Sequence, residues 1–320
     1  LYLIMVVNSQ VAFLNTKVLL VDVGGTNIRT AIAKIGSDEL IDARKENLEC
    51  LDSFDEMLRG FLDKDLSIKH IVFSIAGPKL HHSISMTNRK FHIDEQEILN
   101  KFDIDSCHLL NDWESIGHGL SLFNAVDISF INKGDSFNSS ALILGPGTGL
   151  GAAQVVQDKV VLPTEIGNSS LMIPAMFEKL GLKKVEGFNV IEDLISGSGL
   201  AKIYLSIANE VKTPEAIVSA YHSDANARHS IDIFLKALSQ ILSELAMVYM
   251  PGKGIFLAGG LMRTLYDFLD KKIFMDNFLV NRKTMHANVL AQIPIGMINQ
   301  EMTCLHGSLN FINKFSQNLD

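Results

Sequence analysis

Three glycine-bearing turns, each placed straight after a short apolar strand, constrain this chain more than any other feature. They are Asp22-Val23-Gly24-Gly25-Thr26-Asn27, Gly145-Pro146-Gly147-Thr148-Gly149-Leu150-Gly151 and Ala258-Gly259-Gly260. The runs before them, 18–23, 141–144 and 255–258, are short and apolar and read as buried strands. Taken singly, a Gly-Gly turn suits an ordinary hairpin. In series, two of them bearing Thr, they suit an anion: glycine lets the main chain approach closely, and successive amides form a nest that needs no lysine. Asp22, at its strand end, is placed to hold a hydrated magnesium ion rather than a phosphate.

The segments around these turns alternate strand and helix. Residues 28–35 resume as a second strand, so the first turn closes a hairpin rather than a strand-to-helix crossover. Ser53 then opens a helix in which Phe54, Met57, Leu58, Phe61 and Leu62 recur at helical spacing, and 71–75 returns to strand. A strand at 107–110 runs into Asn111-Asp112, where a second lobe is expected to open. Residues 154–161 continue extended after the second turn, repeating the layout of the first. From 170 to 250 the pattern is mainly helical, and over 227–250 Ile231, Phe234, Leu235, Leu238, Ile241, Leu242 and Leu245 keep one apolar face until Pro251-Gly252. A last helix is expected over 304–314. At 320 residues the chain is about twice the usual single domain. The expected architecture is α/β with a smaller lobe of 1–111 plus 303–320, a larger lobe of 112–302, and a cleft between them.

Charge and composition exclude several classes. A formal charge of −8 with no run of Lys and Arg argues against nucleic acid as a partner. No stretch reaches the roughly 18 uninterrupted apolar residues of a membrane span. The apolar start, 1–7, breaks at Asn8 without a basic beginning or a small-residue cleavage site, so a secretory leader is not expected. Cys50, Cys107 and Cys304 are odd in number and far apart, which suits buried thiols in a reducing, cytoplasmic compartment rather than a zinc site or a disulfide framework.

The order of the turns resembles the phosphate-1, phosphate-2 and adenosine segments of the sugar kinase, actin and heat-shock chaperone superfamily, and most closely the bacterial glucokinases. Asp22 to Arg29 resembles their D-x-G-G-T-N-x-R opening, and Gly145 to Gly151 their G-x-G-T-G-L-G turn. Met86-Thr87-Asn88, Leu110-Asn111-Asp112, Leu162-Pro163-Thr164-Glu165 and Leu194-Ile195-Ser196-Gly197-Ser198-Gly199-Leu200 follow in the family's order. The resemblance implies a two-lobed ribonuclease H-like, actin-like ATPase fold and transfer of the γ-phosphate of ATP to the 6-hydroxyl of glucose. It implies Asp112 as general base, with Asn88, Asn111, Glu165, Asn168 and Glu192 on the sugar. Asp22, Gly24, Gly25, Thr26, Asn27, Gly147, Thr148, Gly149, Gly259 and Gly260 fall to ATP, with Asp22 on magnesium through water. A hexose and ATP are the partners it implies, and a homodimer is an assembly it allows.

One loop departs from that pattern. The family carries G-E-G-G-H at the sugar loop, where this chain has Thr164-Glu165-Ile166-Gly167-Asn168. Asn168 is shorter than imidazole and does not titrate near neutral pH, and Ile166 cannot take left-handed backbone conformations cheaply. Another hexose, or a sugar-sensing inactive homologue, therefore stands beside glucose phosphorylation. A dinucleotide-binding reading of Gly145-x-Gly147-x-Gly149 lacks the helix that should follow the glycines, and a Walker-type kinase lacks its lysine motif. For His81, His82 and His118 no Cys or carboxylate completes a metal set in the sequence, and Trp113 reads as core.

Overall fold

The computed structural model describes residues 16–51, 53–86, 91–170, 180 and 187–317, so the apolar start 1–7 and the candidate Asn88 lie outside the described residues. The chain divides into two compact units, Leu1–Leu122 with Gln300–Asp320, and Phe123–Asn299. The boundaries expected from the sequence lie at 111/112 and 302/303. The helix that begins at Asp112 belongs to the first unit, because it packs along the C-terminal helix Thr303–Gln317.

In the first unit, β1 (Lys17–Val23), β2 (Asn27–Lys34), β3 (Ile41–Asn47), β4 (Ile68–Ile75) and β8 (Ser106–Asn111) form one sheet in the order β3-β2-β1-β4-β8. Between its last two strands lie a small three-stranded sheet, β5 (Lys79–Leu80), β6 (Ser83–Ser85) and β7 (His92–Asp94), and a helix, Glu95–Lys101. Alternate residues of a strand face opposite sides, and β1 is apolar on both. Leu19, Val21 and Val23 enter a core with Leu58 and Ile98, whereas Val18 and Leu20 enter another with Leu305, Leu309 and Ile312 of the C-terminal helix. That apolarity on both faces is why β1 reads as a continuous run. The hairpin β1–β2 is antiparallel, while β4 and β8 run parallel to β1 with Val23 level with Ile75 and Ile75 level with Asn111. The first glycine turn and Asp112 therefore leave the sheet at the same edge.

The second unit repeats this arrangement. Its sheet has the order β12-β11-β10-β13-β14-β9, from β9 (Ile128–Asn132), β10 (Ser140–Pro146), β11 (Leu150–Val156), β12 (Val160–Thr164), β13 (Gly254–Leu257) and β14 (Ile295–Ile298). Again a glycine turn joins an antiparallel hairpin, β10–β11, beside a parallel third strand, β13. Thr164 stands level with Ala152, Ala152 with Leu144 and Leu144 with Leu257, so β12, the β10–β11 turn and β13 present successive exits along one edge. The long helix Ala225–Tyr249 covers the core, and all seven residues of its expected apolar face are buried. No helix among the described residues is long and apolar enough to cross a membrane.

Candidate active site

The first unit assembles a carboxylate pair at its sheet edge. Asp22 is buried, and Arg29, directly opposite it across the hairpin, donates from Nη1 to Oδ2 at 2.7 Å. Ser74 Oγ stands 3.4 Å from Oδ1. Burial pushes the Asp22 carboxyl up, opposed first by the Arg29 guanidinium and then by the Cys304 thiol and the Ser74 hydroxyl. Arg29 was quoted in the opening motif without a role, and the hairpin register would have supplied one: a residue facing a buried carboxylate is its natural counter-ion. Of the turn itself, Gly24 N–H bonds Asn27 C=O at 2.9 Å, and Gly25 and Thr26 stand exposed at the tip.

Asn111 caps the helix that begins with Asp112. Its Oδ1 accepts from Trp113 N at 2.9 Å and Glu114 N at 3.3 Å, and Glu114 Oε2 accepts from Asn111 N at 3.1 Å, a reciprocal capping box. Asn111 Nδ2 donates to Gly77 O at 3.0 Å, which leaves one amide proton for a substrate hydroxyl. The cap that Asp112 would otherwise provide is thus made by its neighbour. Asp112 is the first residue of the helix, partly buried, with Oδ1 accepting from Trp113 N at 3.0 Å. Behind it lies Cys304, half-buried rather than fully enclosed, with Sγ 3.7 Å from Asp112 O. Burial, with Asp22 and Asp112 nearby, holds that thiol well above its usual range, so it stays neutral. Cys107 is buried too, and burial also raises its thiol.

The second unit brings the sugar-loop residues against the second glycine turn. Thr164 ends β12, and Glu165 opens a single 3-10 turn, Ile166–Asn168. Asn168 Nδ2 donates to Glu165 Oε2 at 3.3 Å, so these two candidates face one another. Ile166 keeps a helical backbone without strain and packs on the core, and Gly167 lies close against Leu150, whose carbonyl oxygen would be 2.3 Å from an added β-carbon. A second 3-10 turn, Ile191–Asp193, is tied to the loop by Ile191 N–H to Ser169 C=O at 2.9 Å. It carries Glu192, whose Oε2 accepts from Leu150 N at 3.3 Å. The helix that follows begins at Gly197, capped by Ser196.

Within the turn, Gly147 N–H is used by Gly149 C=O at 2.7 Å, and Gly147 C=O accepts from Gly197 N at 2.8 Å. Gly147 and Thr148 are exposed. Gly259 has φ +103°, a conformation glycine alone takes cheaply, and its site for a β-carbon is 3.7 Å from Pro146 O. The second and third turns therefore meet at neighbouring strand ends. Among the described residues no group of three or more His, Cys, Asp or Glu could cage a metal. Asp22, with one oxygen given to Arg29, suits a magnesium ion held chiefly by phosphates and water.

Comparison with known proteins identifies the family. The sequence profile described as glucokinase matches residues 19–314. A glucokinase of Chromohalobacter salexigens is 27% identical over 309 residues, covering 91% of this chain and 95% of that one. The crystal structure of a glucokinase from an Antarctic psychrotroph superposes with a TM-score of 0.79 at 22% identity, covering 93% of this chain and 99% of that one. A glucokinase of Balamuthia mandrillaris in complex with glucose gives a TM-score of 0.74 at 21% identity, covering 97% and 98%. The α/β, ribonuclease H-like fold and the resemblance read from the sequence are borne out, and the chain belongs to the glucokinase family of ATP-dependent sugar kinases.

Proposed function

We propose that this protein transfers the γ-phosphate of ATP to the 6-hydroxyl of glucose, giving glucose 6-phosphate and ADP. The observation that carries the reading is the junction in the second unit, where Leu150 N–H, at the end of the phosphate turn, bonds the Glu192 carboxylate beside Glu165 and Asn168. Such a junction sets an acceptor for sugar hydroxyls next to amides suited to a phosphate. Because Gly147 N–H is spent inside the turn, phosphate contacts fall to Thr148 and Gly149.

In the first unit, Asp112 takes the proton of the attacking hydroxyl. The sugar oxygen forms its bond to the γ-phosphorus as the bond to the β–γ bridging oxygen breaks, ADP leaves, and the proton passes from Asp112 to solvent. Asn111 orients a neighbouring hydroxyl with its remaining amide proton. Asn88 is assigned to the sugar by family likeness alone. Asp22, kept in place by Arg29, would hold a magnesium ion through water, and such an ion would supply charge neutralisation on the phosphates. Gly24, Gly25, Thr26 and Asn27 line the same edge. We place the enzyme in the cytoplasm.

The changed sugar loop favours a second reading, a kinase for another hexose, because Asn168 is engaged with Glu165. Phosphorylation of a panel of glucose, mannose, fructose and N-acetylated hexoses, followed by phosphorus NMR, tests both. Glucose 6-phosphate as the fastest-formed product supports the proposal. Turnover of a different sugar with glucose inert replaces the substrate, and no turnover of any sugar overturns the kinase reading.

A further inference from the structure

We infer that Asp193 and Lys202 are a positioning pair that sets the affinity for the sugar by fixing the turn that bears Glu192, an inference resting on the assignment of Glu192 to sugar hydroxyls. Among the described residues the Glu192 side chain makes one hydrogen bond, from Leu150 N at 3.3 Å. A carboxylate on a single 3-10 turn, Ile191–Asp193, keeps its aim only if the turn itself is held. Val190 precedes the turn and has no side-chain oxygen to cap it. Asp193 takes over that task, its Oδ2 accepting from Val190 N at 3.1 Å and from Asn189 N at 2.9 Å. This is the returning half of a capping box, made without the forward half.

The other oxygen of Asp193 is taken by the helix that follows, Gly197–Ala208. A β-carbon on Gly199 would lie 2.9 Å from Asp193 O and 2.7 Å from Leu194 O, so glycine lets the helix come this close to the turn. Lys202 stands three residues on, on the same face of the helix, which carries its side chain over the turn. Its ammonium bonds Asp193 Oδ1 and donates to Gly187 O at 2.9 Å, with Nζ 5.9 Å from the Phe188 ring centre. The chain on both sides of Glu192 is thereby tied to one ion pair.

The pair is built to hold. The Asp193 side chain is 18% exposed, which shelters it from the water and salt that weaken surface pairs. Burial pushes its carboxyl up, but Lys202 and the Asn189 and Val190 amides outweigh burial and keep it below its usual range, ionised near neutral pH. Another lysine of the unit, Lys212, joins Tyr204, Glu210 and Asp224 beyond the far end of the same helix. That cluster ties no residue of the Glu192 turn, so it offers a comparison in which stability changes without the sugar site.

Steady-state kinetics with ATP and glucose, or with the hexose of the panel that reacts fastest, test the inference alongside thermal midpoints. Asp193→Asn and Lys202→Met should each raise the sugar KM about 3- to 10-fold at unchanged kcat and ATP KM, as loss of uniform sugar binding does. The double variant should be no worse than the more affected single, because the pair acts as a unit, and Lys202→Arg should restore most of the affinity. Lys212→Met should lower the midpoint and leave the sugar KM alone. Unchanged sugar KM in both single variants, or an equal rise in Lys212→Met, would overturn the inference. A wild-type sugar KM in Glu192→Gln would overturn it through the assignment of Glu192 beneath it, and a wild type that phosphorylates no sugar would remove the kinase reading, failures distinct from the pair's own.

Discussion

Glu192 and Gly149 are packed so closely that a β-carbon on the glycine would lie 2.7 Å from Glu192 Oε2. The same oxygen accepts from Leu150 N, so the proposed sugar carboxylate rests on the phosphate turn itself. Gly149→Ala should therefore displace Glu192 and raise the KM for the sugar, about tenfold if one charged hydrogen bond is lost. Gly147→Ala meets only Gly149 O, at 3.9 Å, and should change sugar KM little. Steady-state kinetics on both variants checks the contrast; equal sugar KM in the two would refute it.

The sugar loop yields a second expectation. Asn168→His replaces a side chain 3.3 Å from Glu165 by one that reaches farther, and should lower the KM for glucose by up to about tenfold. Adding Ile166→Gly should not help, because Ile166 is unstrained and its loss removes packing from the core. Glucose KM and thermal midpoint on the single and double variants separate the two effects.

The helix of Asp112 is held by a backbone contact. A β-carbon on Gly307 of the C-terminal helix would lie 1.7 Å from Ser115 O, and Ser308 Oγ meets Ser115 Oγ at 3.3 Å. Gly307→Ala must push the helices apart, at a cost of about 1–3 kcal/mol or more, and should lower kcat more than it changes ATP affinity. Urea unfolding and kcat measured together test this.

Acid should destabilise the first unit through its histidines. Burial pushes His70 and His118 down to about 4 and lowers His108 as well. An unfolded chain binds these protons near pH 6.5, so stability is full above that value and is lost as pH falls from 6.5 toward 4. By pH 4 the loss should be on the order of 3 kcal/mol for each of His70 and His118. Chemical unfolding at a series of pH values measures it, and His118→Leu should flatten the slope.

Much of this was legible because periodicity carries it. The apolar face from Ile231 to Leu245 and the strands before the glycine turns show themselves by spacing, and the turns by composition. β3 did not, since all its residues are exposed and Asp42, Arg44, Lys45 and Glu46 hide any alternation. It is an edge strand, and charge there protects against further pairing. β9 and β14 are short, and only their pairing within the sheet defines them. At the site, Glu165, Asn168 and Glu192 were found through family likeness, whereas Cys304 behind Asp112 was not. Those two are 192 positions apart, and neither spacing nor local pattern links them.

The most direct measurement is the rate of ADP and glucose 6-phosphate formation by the wild type and by Asp112→Asn, with glucose binding measured on both. An amide keeps the shape of the carboxylate but cannot take the hydroxyl proton, so kcat should fall about 10²–10⁴-fold while glucose affinity largely survives. A variant turning over at the wild-type rate, or a wild type that forms no sugar phosphate from ATP, would contradict the account.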